Sequence, residues 1–259
     1  MTGDRLRHRW FAGDLLRRFP DSTVVLEGFH DETGRNYTIG DVTPAMGAHF
    51  DAFDRTERDE FGDEVAAGSE ALEDATILRV DVGDVNVPSV CARVEAEAPD
   101  VVVVYSTSII KDPLLSAFGG RILNLHAGLS PYYRGAGTNL FPFYNDELEY
   151  VGMTIHHLDA GIDSGEMILQ GRPSWAADDD THTIGCGCVR LGAELMARVL
   201  ERLGDPALPS VPQDRTRGRL YRKRDFDDEV LRVIRERIEG GMVARHAAGE
   251  PKAIDLVSW

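Results

Sequence analysis

The chain has 259 residues, 28 Lys plus Arg against 44 Asp plus Glu, and a formal net charge of −16 at neutral pH. It is long enough to bury a sizeable core, and its acidity argues against general nucleic-acid binding. Three cysteines are too few for a disulfide scaffold, and no run approaches the roughly 18 apolar residues of a membrane helix. The charged start, MTGDRLRHRWFAGD, has no apolar signal core. A cytoplasmic protein without membrane association is expected. Cys186 and Cys188 near His182 have poor zinc spacing, so no metal is expected. Lysine stands only at 111, 223 and 252; a surface rich in Arg and Asp suits either a high-salt cytoplasm or a GC-rich genome.

In chain order, Leu6, Trp10, Phe11, Leu15 and Leu16 form an apolar helical stripe over 5–18. Thr23–Glu27 reads as a short strand. Nothing before Leu6 reads as one. Residues 31–75 are rich in Asp, Glu and Gly, with an amphipathic helix from Pro44 to about Gly62 through Met46, His49, Phe50, Phe53 and Phe61. This segment is an insertion beside the site, a partner surface or a solvated surface helix. Thr76–Val80 is a strand, and Pro88–Glu97 a helix with proline in its first turn. Val101–Tyr105 is a continuous run of the kind buried on both faces of a sheet, and Ile122–Leu125 a further short strand. Gly152–His157 and Met167–Gln170 form a strand pair. A long helix runs from Thr183 to about Leu203, with Leu191, Leu195, Met196, Val199 and Leu200 on one side.

Pro206, Pro209 and Pro212 mark a boundary, dividing the chain into 1–204 and a small extension, 205–259, with a helix near Asp227–Ile238. Strands alternating with helices imply an open, mostly parallel α/β sheet flanked by helices, which binds ligands beyond the carboxyl ends of its strands.

Asn124 and His126 lie at such an end. Two apart in an extended backbone, their side chains leave on one side. Pro131, Gly135, Gly137, Gly161 and Gly165 punctuate the chain beyond His126, and Asp163 lies in the second glycine-bracketed turn. An amide, an imidazole and a carboxylate beyond strand ends can stabilise an oxyanion, hold charge and move a proton. Singly, each has a plain structural reading: turn former, satisfied histidine, turn cap. Of His156 and His157, one faces the core and the other the opposite side; Asp159 reads as a turn residue. Arg134 anchors its loop or meets an anion. The basic stretch RTRGRLYRKR (215–224) binds a substrate phosphate or is a solvated strip.

Taken together, Asn124-Leu-His126, Leu129-Ser-Pro-Tyr-Tyr-Arg134-Gly135 and Leu158-Asp-Ala-Gly-Ile-Asp163-Ser-Gly165 resemble the catalytic segment of the formyltransferases that use 10-formyltetrahydrofolate. The resemblance is strong over 99–172. It implies a Rossmann-like fold in which Asn124, His126 and Asp163 are catalytic. It also implies a donor pocket lined by Ser106, Thr107, Ser108, Ile109 and Ile110 and by Asp159, Ala160 and Gly161. Gly128, Ser130 and Arg134 would face the acceptor substrate. Ala127-Gly128 departs from the Pro-Ser that family members often carry there, which leaves the shape of the acceptor pocket open.

The family would also begin with a strand leading into the first helix. Its apparent absence points to a truncated start, because a missing central strand would leave ladder groups unpaired. By resemblance, the chain transfers a formyl group to an amine of a small molecule, such as a nucleotide-linked amino sugar, by direct attack through a tetrahedral intermediate and without a metal. A 10-formyltetrahydrofolate hydrolase and an inactive folate-binding relic are the alternatives. A homodimer is compatible with it.

Overall fold

The computed structural model describes residues 1–28, 42–67, 72, 75–249 and 253–259. In chain order come β1 (Thr2–Gly3), α1 (Leu6–Arg18), β2 (Val24–Glu27), α2 (Pro44–Ala67), β3 (Ile77–Val80) and α3 (Pro88–Ala96). Next are β4 (Val102–Val104), α4 (Leu114–Ala117), β5 (Ile122–His126), β6 (Tyr133–Gly135), α5 (Phe141–Asn145), β7 (Met153–His157) and β8 (Met167–Gly171). The chain closes with α6 (Thr181–Glu201), β9 (Arg219–Tyr221), α7 (Asp228–Glu239) and α8 (Met242–Ala248). The segment expected as an insertion, 31–75, lies partly outside the described residues.

Strands β3, β2 and β1 pair in parallel, as do β4 and β5, while β7 and β8 add antiparallel. A parallel bridge between Thr2 and Tyr105 joins the two groups in the order β3-β2-β1-β4-β5-β7-β8. The expectation that the first strand is missing is therefore corrected: the strand exists but is two residues long. Thr2 pairs with Leu26 and Gly3 with Glu27. On the other side, the Met1 nitrogen donates to the Val103 carbonyl at 2.6 Å and the Tyr105 N–H to the Met1 carbonyl at 3.0 Å. The ladder groups of both neighbours are thus answered. Thr-Gly has no apolar alternation to read; the strands on either side impose its extended form.

Side-chain alternation splits the core in two. Leu123, Leu125, Met153 and Ile155 face α1 and α6, meeting Trp10, Phe11, Val189, Leu195 and Met196. Val102, Val104 and Ile122 face α3 and α4, meeting Val90, Cys91, Val94 and Leu114. Cover on both faces explains the unbroken apolar run at Val101–Tyr105.

The start of α6 is set by Asp180, whose Oδ1 accepts from the N–H groups of His182 (2.8 Å) and Thr183 (3.0 Å). That cap lets the helix begin at Thr181, two residues before the position expected from its apolar stripe. Burial pushes the Cys186 thiol up to about 12, and Cys188 is fully enclosed on the same helix. Among the described residues no group of three or more His, Cys, Asp or Glu is arranged to hold a metal ion, and no helix is long and apolar enough to cross a membrane.

The reading of 44–62 as a solvated helix is overturned. Helix α2 buries Met46, Phe50 and Phe61, with the Phe61 ring 5.1 Å from that of Trp10, and lies against α1 and α6. Beyond Gly204 the chain returns to the same core. Val211 bridges Met167, β9 pairs in parallel with β6, and Val230, Ile234, Met242 and Val243 join the α1/α6 cluster.

Candidate active site

On β5, Ile122 packs under α3 and α4, and the next two side chains on that face are Asn124 and His126. The partner strand β7 sets His156 opposite Asn124 and Thr154 opposite His126. Asp163 arrives from the β7–β8 turn. Its φ of 45° is unusual for a residue with a side chain, and such strain persists where the surroundings over-determine it. The three residues singled out in the sequence thus meet in one cluster, and His156 joins them.

Asp163 is the hub. Its Oδ1 accepts from Asn124 Nδ2 at 3.2 Å and its Oδ2 from the Gly135 N–H at 2.9 Å. His126 Nδ1 lies 3.4 Å from Oδ2, and His156 Nε2 lies 3.6 Å from Oδ1. Carbonyls only accept, so the histidine protons can be placed. His126 Nε2, 2.9 Å from the Tyr133 carbonyl, carries hydrogen, which leaves Nδ1 facing the carboxylate. His156 Nδ1, 2.7 Å from the His157 carbonyl, carries hydrogen, so its Nε2 accepts from Asn124 Nδ2 at 3.0 Å. Both hydrogens of the Asn124 amide are held, one by His156 and one by Asp163.

Burial lowers the pKa of His126 below the ordinary imidazole value, against the Asp163 carboxylate, which raises it. Burial alone would raise Asp163. The positive charge of a protonated His126 and the Gly135 N–H outweigh it and hold this carboxyl well below the usual carboxylate range. Asp163 is therefore held as a carboxylate, while His126 is drawn two ways: burial favours the neutral ring with Nδ1 open, and the facing carboxylate favours a proton there. Protonation there turns a lone pair aimed at a carboxylate into a charge-assisted hydrogen bond.

The loop after β5 is shaped by close approach. A Cβ on Gly128 would lie 2.8 Å from both His126 Nε2 and Thr138 Cβ, so the departure from the family's serine leaves space that the imidazole itself fills. At Gly135, φ is 94° and a Cβ would run into the Tyr221 carbonyl. Ser130 is fully buried: its N–H donates to Thr154 Oγ1 at 3.0 Å and its carbonyl accepts from Gln170 at 2.7 Å. It supports the loop from beneath, away from the solvent-facing side. Arg134 is half-buried, and its Nε has no hydrogen-bond partner among the described residues.

The expected donor loops show two kinds of residue. Ser108 N–H donates to Glu27 Oε2 at 2.5 Å and the Ile109 carbonyl accepts from Asn86 at 2.9 Å, so two backbone groups there already have protein partners. Ser106 takes a left-handed φ of 53°, Thr107 donates to the Ser108 carbonyl, Ile110 is buried and the Ile109 side chain is exposed. Asp159 accepts from the Gly161 N–H at 3.0 Å and from Ser164 Oγ at 2.8 Å, closing its own turn, while Ala160, Gly161 and the large side chain of Ile162 face solvent.

Sequence reasoning left four contributors unassigned. His156 had a readable signal, because Thr154-x-His156 on β7 repeats the spacing of Asn124-x-His126 on β5. The Tyr133 carbonyl and Gly135 N–H had none, being backbone groups. Glu27 sits at the end of an apolar strand and gave no hint that it would tie Ser108 and, through Oε1, the Gly83 N–H at 2.7 Å.

Strand order, helical cover on two faces and a polar cluster beyond the strand ends make this a doubly wound α/β protein with its site where such folds place ligands. The formyl transferase family model matches residues 49–200, more than half of the chain, and the protein belongs to that family. It is 34% identical over 131 residues to a methionyl-tRNA formyltransferase of Citrifermentans bemidjiense, an alignment covering 50% of this chain and 41% of that one. The chain thus aligns with less than half the length of that relative.

Two solved structures share the fold. Phosphoribosylglycinamide formyltransferase from Streptococcus pneumoniae has a TM-score of 0.53 at 19% identity, covering 78% of this chain and 96% of that one. An N-formyltransferase from Helicobacter canadensis, solved with folinic acid and dTDP-3-aminofucose, has a TM-score of 0.53 at 16% identity, covering 87% and 71%.

Proposed function

We propose that the protein transfers a formyl group from 10-formyltetrahydrofolate to the amine of a small acceptor. The observation that carries this reading is the convergence of Asn124, His126 and Asp163 at the end of β5 and the β7–β8 turn. The bound donor would supply an activated formyl carbon. The residues present suit such a group: a turn with a strained carboxylate residue, exposed Ile109 and Ile162 on the two flanking segments, and a polar cluster that needs no metal to hold it together.

In this reading Asn124 redirects one amide hydrogen from His156 or Asp163 to the formyl oxygen as negative charge grows there. A donor of that kind is worth about 2.7–4 kcal/mol. The neutral Nδ1 of His126 takes a proton from the amine as the new C–N bond forms and gives it to the departing tetrahydrofolate nitrogen as the formyl C–N bond of the donor breaks. Asp163 stabilises the imidazolium, and the Tyr133 carbonyl holds the other ring nitrogen. His156 keeps the Asn124 amide aimed between uses. Alignment of the two substrates supplies the remaining acceleration.

For the acceptor, a net charge of −16 disfavours a polyanion as large as tRNA, and a nucleotide-linked amino sugar is the preferred class. The sugar nucleotide named with the Helicobacter canadensis protein supports that class. The test is release of tetrahydrofolate from 10-formyltetrahydrofolate, followed by absorbance, with panels of amines added and omitted. Amine-dependent turnover that disappears in Asn124→Ala and Asp163→Ala is expected. Release independent of amine would mean hydrolysis, and no release with any amine would overturn the reading.

A further inference from the structure

Strand β6 has two working edges. On one, the Arg219 N–H donates to the Tyr132 carbonyl at 2.8 Å and the Ala136 N–H to the Tyr221 carbonyl at 3.0 Å, laddering β6 onto β9. On the other, the Tyr133 carbonyl takes the His126 Nε2 proton and the Gly135 N–H binds Asp163. Residues alternate between edges along a strand, so one three-residue segment serves both partners. Loops alone hold such positions loosely; pairing to β9 turns this one into a template.

The Tyr133 side chain is pinned as well. Its hydroxyl donates to Glu147 and accepts from Asn145 Nδ2 at 2.9 Å and Arg219 Nη1 at 3.0 Å. Arg219 clasps Glu147 with both terminal nitrogens, at 2.7 and 3.2 Å. Asn145 also donates to the Tyr221 hydroxyl at 2.8 Å, and Tyr221 stacks on Phe141 with ring centroids 3.8 Å apart. Within the basic stretch 215–224, Arg219 is thus an ion-paired residue and not a free cation. It grips the residue whose carbonyl fixes the catalytic imidazole.

We infer that Arg219 and Glu147 are positioning residues: by locking Tyr133 they keep the His126 proton on Nε2 and aim Nδ1 at Asp163. The inference rests on the proposed role of His126 in formyl transfer. A misplacement of the ring by about 1 Å, or the wrong tautomer, can cost roughly 100-fold or more in rate. Loss of the clamp should lower kcat about tenfold to 100-fold while leaving the donor KM within about twofold.

The experiment uses full-length protein carrying 15N-labelled histidine, as wild type, Arg219→Met, Arg219→Lys and the milder Glu147→Gln. Ring-nitrogen resonances of His126, assigned through His126→Gln, report its tautomer without any turnover. The expected result is a single Nε2–H form in wild type and mixed tautomers in Arg219→Met and Glu147→Gln. A fall in kcat and an altered pH profile should accompany the mixing, with partial recovery in Arg219→Lys. Folded variants that keep the wild-type His126 spectrum would overturn the inference even if kcat fell. If no amine supports turnover in wild type, the proposed activity fails, and the spectra still decide the positioning role.

Discussion

Glu27 and Asp163 are both acidic side chains set at or just beyond strand ends, and of the two only Asp163 faces imidazoles. Glu27 is buried at the end of β2 and spends its two oxygens on backbone N–H groups, those of Gly83 and Ser108. It ties two loops together and meets no imidazole among its hydrogen-bond partners. Asp163 spends one backbone bond on Gly135 and turns the rest of its oxygen surface to Asn124, His126 and His156. Both are largely shielded from solvent, Glu27 the more completely. What separates them is whether the partners can change protonation state or reorient, and backbone amides can do neither.

That contrast is broken or sharpened by removing the charge at each position in turn. Asp163→Asn keeps the shape and removes the charge that supports His126. We expect kcat/KM to fall by about 100- to 1000-fold, with a lower thermal midpoint as well, because the depressed pKa of Asp163 is itself a contribution to stability. Because Asp163 raises the His126 pKa, its loss should also move the acid limb of the rate profile to lower pH; a limb that moves upward would contradict the assignment. Gly128→Ser comes next, since its Cβ must displace His126 or Thr138. It should cost activity and about 1–3 kcal/mol of stability from overpacking, read by urea denaturation beside the rate.

Glu27→Ala should depart from the pattern seen at Asp163. Two N–H groups lose their acceptor, at about 1–3 kcal/mol each where water does not replace it. The donor KM should rise because Ser108 sits in the loop after β4, while kcat stays near wild type. A loss of kcat as deep as that of Asp163→Asn would erase the distinction.

The smallest effect is the response of stability to pH. Burial lowers the pKa values of His8, His126, His157 and His182, and pushes that of His49 down to about 4. The unfolded chain protonates these rings near about 6.5 while the native protein resists, so the unfolded state binds more protons. Stability is therefore full above that value and is lost as pH falls from it toward 4, measurable as a falling urea midpoint. Asp163, with its pKa depressed, adds stability that disappears only at still lower pH.

The local pattern of residues determined much of this protein. Apolar periodicity located α1, α3, α6, α7 and most strands, because a buried face repeats every two or 3.6 residues whatever its partners are. Asn124-x-His126 and the glycine-bracketed Asp163 pointed to residues that the fold brings into one cluster, since side chains two apart on a strand must leave together. Tertiary structure decided the rest. The strand Thr2–Gly3 exists because two neighbours offer it ladders, which no two-residue pattern can announce. The packing of α2 depends on Trp10 and α6, distant in sequence. The tautomer of His126 is set by a carbonyl on β6, which β9 and Arg219 hold from about 85 residues further along the chain. Backbone groups have the same chemistry at every position, so their roles are fixed only by where the fold carries them.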